Sequence, residues 1–264
     1  MNRFELLNPI YTNKVIKVIK ENYRVTTVEI DHKLDALPGQ FLMVWIPGVG
    51  EKPMSIGNNN PLTISVANVG PVSEKIWELK EGEVISYRGP FGNPFSIPKD
   101  AKKILCVGGG YGVVPMYFLS KAAKENNIQS TVIIGGRSEK DIVWEKQLFS
   151  VCKKVFVTTD DGSKGAKGNV MIELEPIARE YDAIYACGPE RMMKAVAELC
   201  KKNEVHCQVS AERYMKCGVG VCGSCAIDGK LTCVDGPIFS GAEILKLGEF
   251  GKKKREASGR SVDL

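Results

Sequence analysis

Four of the nine cysteines in this 264-residue chain fall between Cys217 and Cys233, where even scattering would place about 0.6. The arrangement Cys217-Gly-Val-Gly-Val-Cys222-Gly-Ser-Cys225 followed by Cys233 reads C-x4-C-x2-C-x7-C. Its first three members carry the spacing of plant-type [2Fe-2S] binding loops. A loop wrapped round a cluster must turn backbone N–H groups toward sulfur and enter left-handed conformations, and Gly218, Gly220 and Gly223 supply that freedom. The competing reading is a structural zinc held by four cysteines. Zinc ribbons present two C-x2-C knuckles, however, and only Cys222/Cys225 has that spacing. Cys106, Cys152, Cys200 and Cys207 show no ligand spacing and read as small packed hydrophobes.

Length and composition fit one large or two ordinary globular domains, and a cytoplasmic protein is expected. Apolar residues make up 44% of the chain and charged residues 25%. The start, Met1 to Val15, lacks the apolar core of a signal peptide, and no run approaches the ~20 apolar residues of a spanning helix. In a reducing cytosol clustered cysteines bind metal or do chemistry rather than pair. A net charge of +5 is too mild to argue for nucleic acid, and Lys252 to Arg255 reads as a solvated basic end.

The pattern divides in three. From Tyr11 to about Pro98, short β-like runs (15–20, 23–30, 40–46, 61–69 and 84–87) predict an antiparallel barrel or sandwich, interrupted by one helical pattern at 73–79. After Asp100, buried-strand runs alternate with helical patterns up to about Val209, which predicts βαβ units and a parallel sheet. Beyond Ser210 the chain is rich in Gly and Cys and poor in core formers, so a metal centre is expected to hold it. The expected units are a barrel (1–99), a nucleotide-binding α/β domain (100–209) and a small cluster domain (210–264).

Within the second unit, the strand 104–107 runs into Gly108-Gly109-Gly110-Tyr111-Gly112 and a helix with Pro115 in its first turn. This is a phosphate-binding arrangement of strand, glycine turn and helix N-terminus, though not the strict G-x-G-x-x-G fingerprint. Two more loops finish strands on the same expected edge: Thr158 to Ser163, with Asp160, and Ala186-Cys187-Gly188-Pro189. After the second strand Gly135-Gly136-Arg137-Ser138 lacks the usual acidic residue for ribose, so NAD and NADP both remain open. In the first unit, Glu51-Lys52-Pro53-Met54-Ser55 follows a strand and Asn68 to Ser73 leads into a helix. Alone, these read as a basic turn and a capped helix start.

Taken in order, these segments, with Gly89 to Phe95, Glu212 to Cys217 and Cys233 to Phe239, resemble the iron–sulfur flavoprotein electron-transfer subunits of NAD-dependent dihydroorotate dehydrogenase, of the ferredoxin-reductase-like superfamily. The resemblance implies an N-terminal FAD-binding β-barrel, a central parallel-sheet nucleotide-binding domain and a C-terminal [2Fe-2S] domain. It implies that Lys52, Pro53, Met54 and Ser55 hold the flavin, and that Gly70 and Ser73 hold its phosphates. Gly108, Gly109, Gly110, Gly112, Asp160, Gly188 and Pro189 would line the NAD(P)H site. Cys187 would lie beside the nicotinamide as the catalytic-site residue, and Cys217, Cys222, Cys225 and Cys233 would ligate the cluster. Lys52 stands where relatives carry arginine, which keeps the charge but loses the planar two-point grip. Ser65 and Val66 stand where relatives carry Tyr-Arg, and neither is assigned a role.

The implied function is passage of electrons from NAD(P)H through FAD and the cluster to the FMN of a catalytic subunit in pyrimidine biosynthesis, in a heterotetramer of two of each chain. A flavin accepts two electrons together and releases them singly, which explains why the three modules share a chain. The cluster loop, with little core of its own, is expected at the partner surface. Small subunits of NADH-dependent ferredoxin:NADP oxidoreductases, sulfide dehydrogenases and soluble hydrogenases are alternatives, as are a self-sufficient reductase and a zinc-stabilised nucleotide-binding module. His32 and His206 have no catalytic partner by spacing and read as structural.

Overall fold

The computed structural model describes residues 9–264; the first eight, where the expected barrel domain and the signal-peptide reading begin, lie outside the described residues. The N-terminal strands are β1 (Tyr11–Lys20), β2 (Val25–Ile30), β3 (Phe41–Ile46), β4 (Gly50–Asn59), β5 (Leu62–Ala67) and β6 (Val84–Phe91), with helix α1 (Pro71–Glu78) between the last two. They close into an antiparallel barrel in the order β1-β2-β5-β4-β3-β6. Val28, Ile30, Leu42, Val44, Ile56, Ile64 and Ile85 fill its interior. The strand β4 has no counterpart in the sequence reading, because Pro53, Gly57, Asn58 and Asn59 interrupt its β pattern. The expected flavin segment Lys52–Ser55 does follow a strand, β3, and itself lies inside the next one. Closure of the barrel imposes that pairing, with Val44 opposite Lys52 and Met43 opposite Pro53.

The second unit contains β7 (Lys103–Gly109), α2 (Val113–Glu125), β8 (Gln129–Gly136), α3 (Glu145–Val151), β9 (Lys154–Thr159), β10 (Ala166–Lys167), α4 (Met171–Ile177), β11 (Ala183–Cys187), α5 (Glu190–Asn203) and β12 (His206–Ser210). Helix α4, with Pro176 inside it, has no counterpart in the sequence reading. The strands β9, β8, β7, β11 and β12 are parallel neighbours in that order. The chain order reverses between β7 and β11, so a crevice opens beyond their carboxyl ends.

The sheet does not stop at Val209. Past a small hairpin of β13 (Ala226–Ile227) and β14 (Lys230–Leu231), strand β15 (Ile238–Ser240) adds to β12 as an antiparallel edge, followed by α6 (Gly241–Ile244). Ile227, Phe239, Ile244 and Phe250 are buried in one cluster with Val107, Ile184 and Met193 of the α/β unit. The C-terminal stretch thus borrows a core from the sheet.

The barrel and the sheet are fastened at several points. Phe118 of α2 is buried in the barrel cluster, and a side chain at Gly57 would meet Val114 of α2 at 2.7 Å. Trp144 Nε1 donates to Thr27 Oγ1 at 3.1 Å and to Ser65 Oγ at 3.0 Å, so Ser65 serves this interface. Asp141 accepts from Tyr23 OH at 2.8 Å across the same boundary. His32 Nδ1 lies 2.6 Å from Tyr87 OH and packs between barrel tyrosines, a structural placement. Among the described residues no helix is long and apolar enough to cross a membrane.

Candidate functional site

At the switch point the turn 108–112 faces the loop 187–189 at very short range. A side chain at Gly112 would overlap the backbone of Cys187 and meet the Gly188 nitrogen at 2.8 Å. One at Gly109 would meet Pro189 Cδ at 2.6 Å, and one at Gly188 would meet Gly109 Cα at 2.9 Å. These glycines are there because two backbones touch. Gly110, with φ of +56°, has open space where a side chain would be. The structure therefore brings Gly108, Gly109, Gly110, Gly112, Cys187, Gly188 and Pro189 to one place.

Cys187 is half-buried at the end of β11. Burial first, and the Glu212 carboxylate second, push its thiol up to about 12 against a hydrogen bond with Ser210. Tyr111 is raised to about 12 by Glu212 and by burial. Burial in turn raises the Glu212 carboxyl, opposed by Lys254. Glu212 and Tyr111 expose area to solvent yet feel desolvation, the behaviour of groups lining a concavity. Glu212 opens the segment 212–217 and Tyr111 sits in the glycine turn, both named in the sequence, but neither is assigned a role there. Asp160 lies apart at the end of β9, exposed, its N–H bonded to Gly136 O at 3.1 Å. Ser138 gives both its N–H and its hydroxyl to Asp141, and Arg137 is exposed.

The two expected flavin segments also converge. The start of β4 touches the start of α1, since a side chain at Gly50 would meet Val72 at 3.4 Å. Ser73 is buried, and its hydroxyl accepts from the Val69 and Gly70 N–H groups and donates to Gly70 O, each at 2.9 Å. That hydroxyl is committed to shaping the turn, while the space at Gly70 is open. Lys52 is half-buried with its ammonium 3.9 Å from the ring centre of Tyr214, three residues before the first clustered cysteine.

The cysteines form two pairs. Cys225 and Cys233 are buried with sulfurs 3.4 Å apart, whereas Cys222 is exposed and interacts with Cys217. Val219 N–H points at Cys217 Sγ (3.4 Å) and Gly220 N–H at Cys233 Sγ (3.3 Å). Contact with Cys233 draws Cys225 down to about 6 while Cys233 rises, so that the pair shares one proton. For Cys222, burial is outweighed by hydrogen bonds with Ser224 and Cys217, leaving the thiol near 7. Among the described residues no three His, Cys, Asp or Glu side chains converge closely enough for a single metal ion. Two pairs with inward N–H groups fit a two-iron cluster better than one tetrahedral ion.

The loop is seated on the barrel. Met215, Cys225 and Cys233 pack with Phe41, Met43 and Phe91 of β3 and β6. Gly218, at φ of +74°, lies so close that a side chain would meet Met43 Cγ at 2.8 Å. Two of the sequence segments singled out above also meet. Asn93 N–H donates to Gly236 O at 2.7 Å, and Asn93 Nδ2 donates to Val234 O (3.2 Å) and Asp235 O (2.9 Å). Arg88, absent from the sequence reading, bonds the Cys217 carbonyl at 3.1 Å. Its signal was only a charged residue just past the β-run 84–87, which a solvated barrel face explains equally well.

Comparison with known proteins agrees with this geometry. Residues 212–245 match the iron-sulfur cluster binding domain of dihydroorotate dehydrogenase B, and residues 106–198 the oxidoreductase NAD-binding domain. The chain is 40% identical over 253 residues to a Methanocaldococcus jannaschii protein named "Probable dihydroorotate dehydrogenase B (NAD(+)), electron transfer subunit", covering 94% of this chain and 96% of that one. A Pyrococcus furiosus protein of the same name is 42% identical over 236 residues, covering 89% and 92%. Among solved structures, one of an NADH-dependent reduced ferredoxin-NADP oxidoreductase superposes with a TM-score of 0.78 at 30% identity, covering 90% of this chain and 92% of that one. With near-full-length identity of this order and both domain matches in register with the crevice and the cysteine loop, the chain belongs to the family of dihydroorotate dehydrogenase B (NAD+) electron transfer subunits and is a component of an NAD(P)-linked oxidoreductase.

Proposed function

We propose that this chain carries electrons from NAD(P)H, by way of FAD and a [2Fe-2S] cluster, to the FMN of a dihydroorotate dehydrogenase catalytic subunit in the cytoplasm, in a complex of two of each chain. The observation that carries this reading is the contact between the expected flavin strand and the cluster loop, Lys52 against Tyr214 and the barrel wall against Gly218. The functional units correspond to residues 1–99, 100–209 and 210–264.

The residues present suit the three groups. In the crevice, the bare backbone at Gly110 and the α2 N-terminus would receive the dinucleotide phosphates, with Gly108, Gly109 and Gly112 permitting the approach. Gly188 and Pro189 would form the facing wall, with Cys187, held as a neutral thiol, beside the nicotinamide. Asp160 would stand at the crevice rim. Lys52, Pro53, Met54 and Ser55 would contact the flavin along β4, while open space at Gly70 and the first-turn amides of α1 would take its phosphates. Ser73 would contribute through the turn it shapes. Cys217 with Cys222, and Cys225 with Cys233, would each hold one iron. When bound, the flavin supplies the conversion of a hydride into single electrons that neither neighbour can perform. The exposed Cys222, flanked by Val221 at 83% exposure, would face the partner.

The test is to mix the holoprotein with a catalytic subunit and measure NADH-coupled conversion between dihydroorotate and orotate. Stimulation is expected. Cys222→Ser should keep NADH-dependent flavin bleaching and lose the coupled turnover. No stimulation by the unsubstituted protein, with flavin and cluster present, would assign it another acceptor.

A further inference from the structure

The barrel needs no side-chain strap between β4 and β6, because β3 lies between them and pairs with both along its length. Arg88 of β6 nevertheless reaches across β3. Its Nε and Nη2 donate to Glu51 Oε1 and Oε2 at 2.8 and 2.7 Å, the two-point fork that gives arginine–carboxylate pairs their strength. The same Nη2 leaves the barrel and donates to the Cys217 carbonyl at 3.1 Å. The two side chains are only 18% and 21% exposed, so their charges are felt locally rather than dissolved in water. Beneath the strap Met43 is fully buried, paired through its backbone with Pro53 and Arg88 and touching the position of Gly218 with its side chain. Glu51 is the residue before Lys52.

Resting on the cluster assignment proposed above, we infer that Arg88 is a positioning residue for the cluster. It clamps the Cys217 end of the loop to the strand carrying the flavin segment, and with Glu51 it sets the charge that the cluster senses. A cation near an iron–sulfur centre favours the reduced form and an anion the oxidised form, and hydrogen bonding around the ligands tunes the centre further. The intact pair nearly cancels. Removing either member therefore leaves an uncompensated charge, and the two removals leave opposite signs.

The experiment is an EPR-monitored redox titration of the purified holoprotein and its variants. Arg88→Gln leaves Glu51 unbalanced and should lower the cluster midpoint, whereas Glu51→Gln leaves Arg88 unbalanced and should raise it. Arg88→Lys keeps the charge without the fork, so its midpoint should fall less than that of Arg88→Gln, while a chelator bleaches its cluster faster than wild type. A merely structural strap would move Arg88→Gln and Glu51→Gln in the same direction. That result, or unchanged midpoints in both, overturns the inference and leaves the cluster assignment standing. Should Arg88→Gln fail to load a cluster, a rise in Glu51→Gln supports the inference and no rise overturns it. Absence of a [2Fe-2S] signal in the unsubstituted holoprotein overturns both.

Discussion

Glu190 opens α5 directly after the Cys187–Pro189 loop, and Arg213 lies in the segment leading from β12 into the cluster loop, so their ion pair joins the two parts of the site. Their side chains are 8% and 1% exposed. Arg213 also donates to Glu212 O at 2.9 Å and Lys253 O at 3.2 Å, and Glu190 accepts the Gly251 N–H at 2.8 Å. Truncating one member of such a buried pair costs about 3–5 kcal/mol, because the other charge is left without its counter-ion. For Arg213→Met the lower end applies. The stranded Glu190 carboxylate keeps the Gly251 N–H and sits at a helix N-terminus, which favours an anion by about 0.3–1 kcal/mol. We expect a loss of about 3 kcal/mol, or roughly 6–12 °C in Tm for a chain of this size. Adding Glu190→Gln removes the stranded charge and should recover about 1–3 kcal/mol. Urea unfolding of the holoprotein, followed by near-ultraviolet dichroism and visible absorbance together, reads both. The reasoning fails if Arg213→Met costs under about 1 kcal/mol, or if the second substitution deepens the loss instead of relieving it.

Gly112→Ala places a methyl group against the backbone of Cys187 and Gly188, which cannot rotate away; a cost of about 1–3 kcal/mol and a raised KM for NADH are expected, checked by denaturation and steady-state kinetics. Cys187 releases its proton in the unfolded chain at about pH 8.5 but holds it to about 12 when folded, so its contribution to stability is level below about pH 8 and declines as pH rises from about 8.5 to about 12. Mass-spectrometric alkylation should accordingly find Cys187 far slower at pH 8 in the native protein than in urea. Trp144→Phe removes the donor to Thr27 and Ser65, which remain bonded to each other at 2.6 Å; a loss near the low end of about 0.5–1.5 kcal/mol is expected by calorimetry, and a loss above about 3 would contradict the view that this contact is a modest clasp.

The cysteine spacing, the glycine turn and the alternation of strand and helix patterns were readable because each reflects a local requirement: ligand reach, backbone approach and burial period. Strand β4 was not readable, because its residues have weak β preference and are held by neighbours on both sides. Ser73 illustrates a different limit. A serine at a helix start serves a ligand or its own turn equally well in sequence, and only the three bonds of its hydroxyl show where it is spent. Arg88 lies in none of the segments read from the sequence, and Tyr214 and Glu212 sit in a recognised segment without an assigned role; what the three do is shown by what they touch.

By itself, then, the sequence determined which residues are candidates for the site. Four cysteines at fixed spacing and glycines where backbones must touch follow from short-range chemistry that a linear pattern records, whereas the flavin role of the basic segment Lys52–Ser55 is what the family resemblance implies. Only the tertiary structure decided how those donors face each other. The C-terminal stretch lacks a core of its own, so its burial on the sheet through β15 and on the barrel through Met43 and Phe91 is what brings the cysteines to the barrel strands beside the proposed flavin segment. Such long-range packing is cooperative and leaves no periodic trace in the segments it joins, which is why the contacts between the three candidate regions become visible only in the folded chain.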